Sequence, residues 1–409
     1  MRALLRIRDA RIFLFGWTLS QFGDWAMIIV LAVWAKDLTS SNAAAGLTFF
    51  ALAAPSIFAP LAGLLVDRVR RRPLLITVYS IEAVVVLALL LVDDRSDIWL
   101  IYGMAVFTGV AGTLAASARS ALMTTTIPRE LLGEGNAIFQ SVREGLRLIA
   151  PLIGAGIYAA AGGGVVAIID SVSFVFVVGA LLMMRTPEPR FDRVEHNFMS
   201  EALAGAVHIV HTIPLRQIIF STGAALFVVG FSETIIFAVI DQGLHRPPSF
   251  LGVLSTLQGA GAIVGGLTAV YGLRRLGDVR LAGLGMAGFA VGDLSFISSS
   301  LPLIAAGIIV AGFGVSWLIV GLMTAIQVRT PLRLQGRVSS AADVLISTPQ
   351  TISIAVGAAL IAVVDYRVLV VVEALAVALA GVYLLTRPAI VPTESPPTPS
   401  AELLSQPQP

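Results

Sequence analysis

Twelve long apolar runs follow one another along this chain. Each is about 18 residues or more, the length a helix needs to cross a bilayer. They lie near 11–35, 44–66, 73–92, 98–121, 137–161, 165–185, 216–240, 250–273, 280–300, 302–327, 338–364 and 367–387. With 57% hydrophobic and 13% charged residues and a mean hydropathy of +0.90, the chain falls outside the range of soluble globular domains. The expected fold is an all-α integral membrane protein of twelve transmembrane helices in two pseudo-symmetric six-helix halves. The basic start, Met1-Arg2 through Arg11, leads into a run too long for a signal-peptide core, so it is read as part of the first span.

Arginine orients the bundle. Of the 27 basic residues, all but Lys36, Arg95, Arg246 and Arg367 fall at the termini or in loops on the termini's side, which predicts that both ends are cytoplasmic. Lys36 is the single lysine. The first half is expected over 1–185, then a cytoplasmic linker at 186–215, the second half over 216–387 and a disordered Pro/Ser/Thr-rich tail at 388–409. Within the linker, the run from Met199 to Ile213 reads as an interfacial amphipathic helix ended by Pro214, and His208 and His211 as its wet face. A net charge of +2 gives no reason to expect a nucleic-acid partner, and the absence of cysteine excludes disulfides and thiolate metal sites.

One constant shift of 203 residues superimposes the halves. It puts Gly63 on Gly266, Arg71-Arg72 on Arg274-Arg275, Gly109 on Gly312, Pro128 on Pro331, Gly133 on Gly336, Gly154 on Gly357 and Asp170 on Glu373. A gapless offset across so many loops implies a parallel duplication about an axis along the membrane normal. Between the second and third runs, Asp67 stands beside Arg68, Arg71 and Arg72, with Gly63 a turn before. A carboxylate among guanidinium groups in a short loop can hold one arrangement of the neighbouring helices through bidentate hydrogen bonds. The second copy carries Val270 and Tyr271 at the places of Asp67 and Arg68, so such a latch is one-sided. Asp343, near the start of the eleventh run, is the candidate partner for the arginines.

The motif Gly63-x-Leu65-x-Asp67-Arg68-x-Arg70-Arg71-Arg72 resembles the second-to-third-span loop of the major facilitator superfamily, with Arg70 in the place of a glycine. The segments Ala118 to Leu122, Ile127-Pro128-Arg129-Glu130-x-Leu132-x-Glu134-Gly135-Asn136-Ala137, Pro151-x-x-Gly154, Ile169-Asp170-x-x-Ser173-Phe174 and Gln335-Gly336-Arg337-Val338 are similar to its macrolide- and siderophore-exporting branch. The resemblance covers residues 8–387 and implies a drug:proton antiporter working by alternating access. Two departures stand out. The fifth-span signature reads Ala150-Pro151-x-x-Gly154-Ala155 instead of Gly-Pro-x-x-Gly-Gly, and the fourth span lacks the deep arginine of drug antiporters, Arg119 lying nearer the cytoplasmic end.

Charged groups inside the runs need a reason, since an ionised side chain at mid-membrane costs on the order of 3 kcal/mol on insertion scales. Asp24, with Gln21 one turn before it and Trp17 a turn earlier still, is the leading candidate for proton coupling, and Glu82 the second. Burial in an apolar cavity penalises the charged form of a carboxylate, which suits such a group to taking up and releasing protons. Glu233 and Asp293 are their counterparts in kind and complete the expected cavity set. Asp170 and Glu373, equivalent under the repeat, read as structural. Arg119, Arg143, Glu144 and Arg147 are placed at the cytoplasmic mouth. Gln140, Gln258 and Gln350 are further polar groups among apolar neighbours, a composition that suits an amphipathic solute better than a sugar or phosphate.

Nothing here resembles a catalytic centre. Gly283-x-Gly285-x-x-Gly288 lies inside an apolar run without a preceding strand, and no His-Glu-x-x-His, Gly-x-Ser-x-Gly or phosphate-binding loop occurs. The expectation is a monomeric secondary exporter in a prokaryotic cytoplasmic membrane, without metal or cofactor, whose partners are an amphipathic substrate, protons and lipid. Export of a siderophore or other self-made metabolite is the alternative; a non-transporting sensor or a membrane enzyme stands lower.

Overall fold

The computed structural model describes residues 6–58, 62, 65–66, 69–128, 131–186, 198–331 and 334–387. The regular structure among the described residues is entirely helical. Ten helices there are long and apolar enough to cross a membrane, and Asn42–Phe58 and Gly145–Ala161 are shorter apolar ones in the second and fifth places. The fifth helix as a whole runs Leu132–Ala161; Arg143, Glu144 and Arg147 interrupt the apolar character of its first half. The bundle thus has twelve transmembrane helices in two six-helix halves. An even number of crossings places the start of Arg8–Thr39 and the end of Tyr366–Leu385 on one face, the terminal face.

Several spans change regularity partway, and the changes follow from local sequence. Gly162, at φ 80, takes a conformation open to glycine and joins the fifth span to Gly163–Met183 in a one-residue turn. The third span is α-helical over Arg71–Val85 and tightens to a 3-10 helix over Val86–Leu91. Its counterpart, the ninth, is α-helical over Asp278–Asp293 and 3-10 over Leu294–Ile297. The seventh is broken outright, with Ile213–Val229, a turn, Ser232–Ala238 and a π-helical Val239–Gly243. Pro214, expected to end the linker helix, instead occupies the first turn of Ile213–Val229, where its missing N–H has no helical partner to lose.

Side chains near the terminal face tie each half together. Asp9 Oδ2 accepts hydrogen bonds from the Arg185 and Thr186 backbone N–H groups at 2.7 and 2.6 Å and from the Thr186 hydroxyl at 2.6 Å, pinning the end of the sixth span to the start of the first. Arg72 donates to the Leu182 carbonyl at 3.0 Å. In the second half, Arg329 grips Asp278 through two hydrogen bonds, of 2.9 and 2.8 Å. The helix Phe198–His211 lies against this half: Ile209 is buried in its core, and His208 Nε2 sits 3.1 Å from the Arg329 carbonyl.

The apolar core is divided in a telling way. Toward the terminal face, one cluster is built by first-half residues such as Phe13, Trp17, Leu75 and Phe174. Another is built by the linker helix and second-half residues, among them Leu215, Ile218, Met286 and Val377. On the opposite, far face, one cluster joins both halves, with Ala32, Val33 and Ala45 packed among Ile235, Phe237, Leu251 and Leu254. Lys36 Nζ reaches Asp241 Oδ2 at 2.9 Å across the same seam. Gly252 of the eighth span lets that helix touch the fifth: a Cβ there would lie 3.1 Å from the Pro151 carbonyl oxygen and 2.9 Å from the Ala155 Cβ. The described molecule is closed at the far face, its halves held together there.

Candidate functional site

Between the halves lies a cavity of about 680 Å³. Gln21, Asp24, Trp25 and Ile28 line it from the first span, Phe49 and Ser56 from the second, and Glu82 from the third. The fourth span contributes Thr108 to Ser117, the seventh Glu233, and the eleventh Ser347, Gln350 and Ile354. On the terminal side the lining extends to Ser56, Ser117 and Ser347, whereas the far side is sealed by the shared cluster. The walls mix apolar side chains with polar ones, among them three carboxylates, two glutamines, six hydroxyls and the Trp25 indole N–H. Two of these, the Trp25 Nε1–H and the Thr108 hydroxyl, are buried without a hydrogen-bond partner among the described residues.

Each half places three carboxylates on its first, third and sixth helices. In the first half they are Asp24, Glu82 and Asp170, close enough that the charge of Asp24 acts on both the others. In the second they are Glu233, Asp293 and Glu373, and Glu373 feels both its companions. Glu82 and Asp293 sit where the third and ninth spans leave regular α-helix, and Glu233 lies beside the break in the seventh. Gly23 allows this packing in the first half, because a Cβ there would collide with the Asp170 carboxylate and meet the Ser173 hydroxyl at 2.5 Å. The Ser171 hydroxyl donates to the Ala83 carbonyl at 2.6 Å, joining the sixth span to the third beside Glu82. In the second half the Ser232 hydroxyl donates to Glu373 Oε1.

Two arginines, expected at the mouth, turn toward these carboxylates. The Arg119 guanidinium lies 4.8 Å over the ring of Trp17, which is itself buried in the first-half core instead of facing the cavity, and its charge acts on Asp24 and Tyr79. Stacking on the indole holds the long side chain inward. Arg147 lies 5.7 Å over Trp25, a cavity residue, and its charge acts across the seam on Glu233. Arg143 stays close enough for its charge to act on Arg119.

The remaining expected residues divide. Gln21, Asp24, Glu82, Glu233 and Gln350 line the cavity together. Asp293 does not: it is 1% exposed and sits behind the lining, on the ninth span, which packs between the tenth and twelfth. Gln258 is also absent from the lining. Asp343 is exposed toward the terminal end of Gln335–Leu360, and its carbonyl accepts the Ser347 hydroxyl at 2.6 Å. Arg71 opens the third span and Arg72 caps the sixth. Gly63, Asp67 and Arg68 lie outside the described residues, as do the side chains of Gln140 and Glu144 and the tail at 388–409. Sequence reasoning missed Glu373 as a member of an acidic group; its only signal was the match to Asp170 under the repeat.

The sequence profile of the Major Facilitator Superfamily matches residues 13–238 and again residues 218–408. No curated protein matches the chain in sequence. Among solved structures, a bacterial homologue of the iron transporter ferroportin in its inward-facing state is 17% identical. It superposes with a TM-score of 0.68, covering 93% of this chain and 98% of that one. The nucleoside transporter NupG is 12% identical with a TM-score of 0.70, covering 92% and 99%. An auto-inhibited POT family peptide transporter is 13% identical with a TM-score of 0.70, covering 92% and 96%. At such identities the likeness is one of fold. With a profile match along nearly its whole length and twelve spans in two halves around a central cavity, the chain belongs to the Major Facilitator Superfamily of membrane transporters.

Proposed function

We propose that this transporter exports hydrophobic or amphipathic small molecules, antibiotics among them, from a prokaryotic cell in exchange for protons. The terminal face is the cytoplasmic one in this reading, as the arginine bias requires. The halves rock about the cavity, and the described arrangement, sealed at the far face, is the one that receives substrate from inside. The structural neighbours are named for iron, nucleosides and peptides, so the scaffold carries no substrate and the lining must. That lining sets Trp25, Phe49 and aliphatic side chains beside spaced carboxylates, amides and hydroxyls, a mixture that suits an amphipathic solute.

The observation that carries the proton reading is Asp24. It is a carboxylate in the wall of a mid-membrane cavity, no described side chain hydrogen-bonds it, and Arg119 is within electrostatic reach. Such a group can lose its proton to the cytoplasmic side and be steadied by the arginine, then regain it when the cavity faces out. In the same cycle Asp343, exposed toward the terminal end of the eleventh span, meets the arginines of the 68–72 cluster when the cytoplasmic side closes.

The test uses proteoliposomes loaded with an amphipathic dye such as ethidium. Flux should rise with an imposed pH gradient in the wild type and lose that response in Asp24→Asn while exchange at equal pH persists. A gradient response retained by Asp24→Asn would reject the assignment of this residue. Transport of no dye or drug would point to a dedicated substrate such as a siderophore.

A further inference from the structure

The cavity does not use Asp293 and Glu373, yet these are the most completely enclosed acids of the second half. Asp293 is 1% exposed and Glu373 0%. Among the described residues, both oxygens of Asp293 and Oε2 of Glu373 have no hydrogen-bond partner, while Oε1 of Glu373 is bonded by the Ser232 hydroxyl. A carboxylate kept to tie helices together shows its ties, as Asp9 does with three. Asp293 shows none. Two more buried hydroxyls nearby in sequence, Ser295 and Tyr366, are also without partners among the described residues.

The charges around the pair are all of one sign. From the seventh span Glu233 acts on Glu373, and from the ninth Asp293 does. No basic side chain acts on either, and no titratable group of the eighth, tenth or eleventh span does among the described residues. The first-half trio differs, since Arg119 acts on Asp24. Two enclosed carboxylates with one hydroxyl donor between them and no counter-charge cannot both stay ionised in a low-dielectric bundle. A metal ion is not the remedy, because no group of three or more ligating side chains occurs among the described residues.

We propose that Asp293 and Glu373 form a second proton-binding site, internal to the C-terminal half and separate from the cavity carboxylate Asp24. Its route to water is Glu233, which lines the cavity next in sequence to Ser232, whose hydroxyl is bonded to Glu373. The charge of Glu233 reaches Glu373 directly, so the charging of Glu233 and the proton occupancy of the enclosed pair are linked. The break in the seventh span at Gly230 and Phe231 places that hydroxyl and Glu233 at the start of a new helical segment. Arg147, from the other half, acts on Glu233 and so controls when this route is charged. The part played in transport rests on the proton-driven reading above; the existence of the site does not.

Infrared difference spectra of the purified protein, recorded across a pH titration, read protonated carboxyl groups directly through their carbonyl stretch. The wild type should show a band that disappears at alkaline pH. Asp293→Asn and Glu373→Gln should each remove that component, and Asp24→Asn should leave it in place, so failure of the cavity assignment is distinguishable from failure of this one. Ser232→Ala keeps both acids and should shift the band, since the Glu373 acid loses its donor. A titrating band identical in wild type, Ser232→Ala and both carboxamide variants would overturn the proposal.

Discussion

Lys36 and Asp241 make the sharpest prediction, because they join the two halves at the sealed face through one ion pair of 2.9 Å. The Lys36 side chain is only 7% exposed and that of Asp241 is 52% exposed. Breaking a fully buried pair costs about 3–5 kcal/mol and an exposed one about 0.2–1. Here one partner is half in water, and Lys36 keeps the charge of Asp37 nearby and a 3.5 Å contact to the Ser40 carbonyl. The loss in Asp241→Asn should therefore be near the lower end, about 1.4 kcal/mol, or tenfold in an equilibrium. It falls on the far-face-closed state alone, because Lys36 is hydrated once the halves part there. Ala45 reports the opening: it is wholly buried in the cluster shared by the halves, and the chain has no native cysteine to compete. With Ala45→Cys as background, a membrane-impermeant maleimide applied from the far side should label about tenfold faster in Asp241→Asn, since the rate follows the open population. Adding Lys36→Met removes the stranded cation and should return the rate toward the background. An unchanged rate in Asp241→Asn, or no recovery in the double variant, would refute the reasoning.

Asp9→Ala removes three hydrogen bonds to the end of the sixth span and should destabilise the first half by about 3 kcal/mol, read as a lowered midpoint of thermal unfolding in detergent. Gly23→Ala should push the Asp170 carboxylate off the first span, slowing dye flux in proteoliposomes without loss of membrane insertion. Asp343→Arg, which reverses charge at the expected latch partner, should reduce transport several-fold while surface expression holds; unchanged export would remove Asp343 from the latch.

The helices were legible because a bilayer enforces a minimum run of apolar residues, and the expected spans fall within a few residues of the observed ones, except for the end of the second, which runs outside the described residues. The fifth carries the weakest signal, because Arg143, Glu144 and Arg147 occupy its first half. Asp24, Glu82 and Glu233 were legible as charges without an apolar excuse. Their grouping was not. A single offset pairs Asp170 with Glu373 but puts Asp24 on Phe227 and Glu82 on Gly285, so the other two pairs share a helix and not a position. Nor does sequence distance reveal that Arg119 lies over Trp17, since that contact depends on how far apart two helices pack and how far an arginine reaches.

The pairings of the basic residues bear on how rocking is coupled to charge. Arg119 and Asp24 both belong to the first half, so a rigid-body rotation carries them together and leaves their interaction unchanged. Arg147 with Glu233 and Lys36 with Asp241 each bridge the halves, so the same rotation must alter both. A transporter that exchanges protons needs at least one acid whose surroundings differ between its two states. In the first half, only access to water can provide that difference for Asp24. In the second, the distance between Glu233 and Arg147 provides it as well. The separation of these effects is measurable: Arg147→Gln should make the response to a pH gradient insensitive to Glu233→Gln, whereas Arg119→Gln should leave the effect of Glu233→Gln intact. Equal dependence on both arginines would mean that the halves do not move as rigid units.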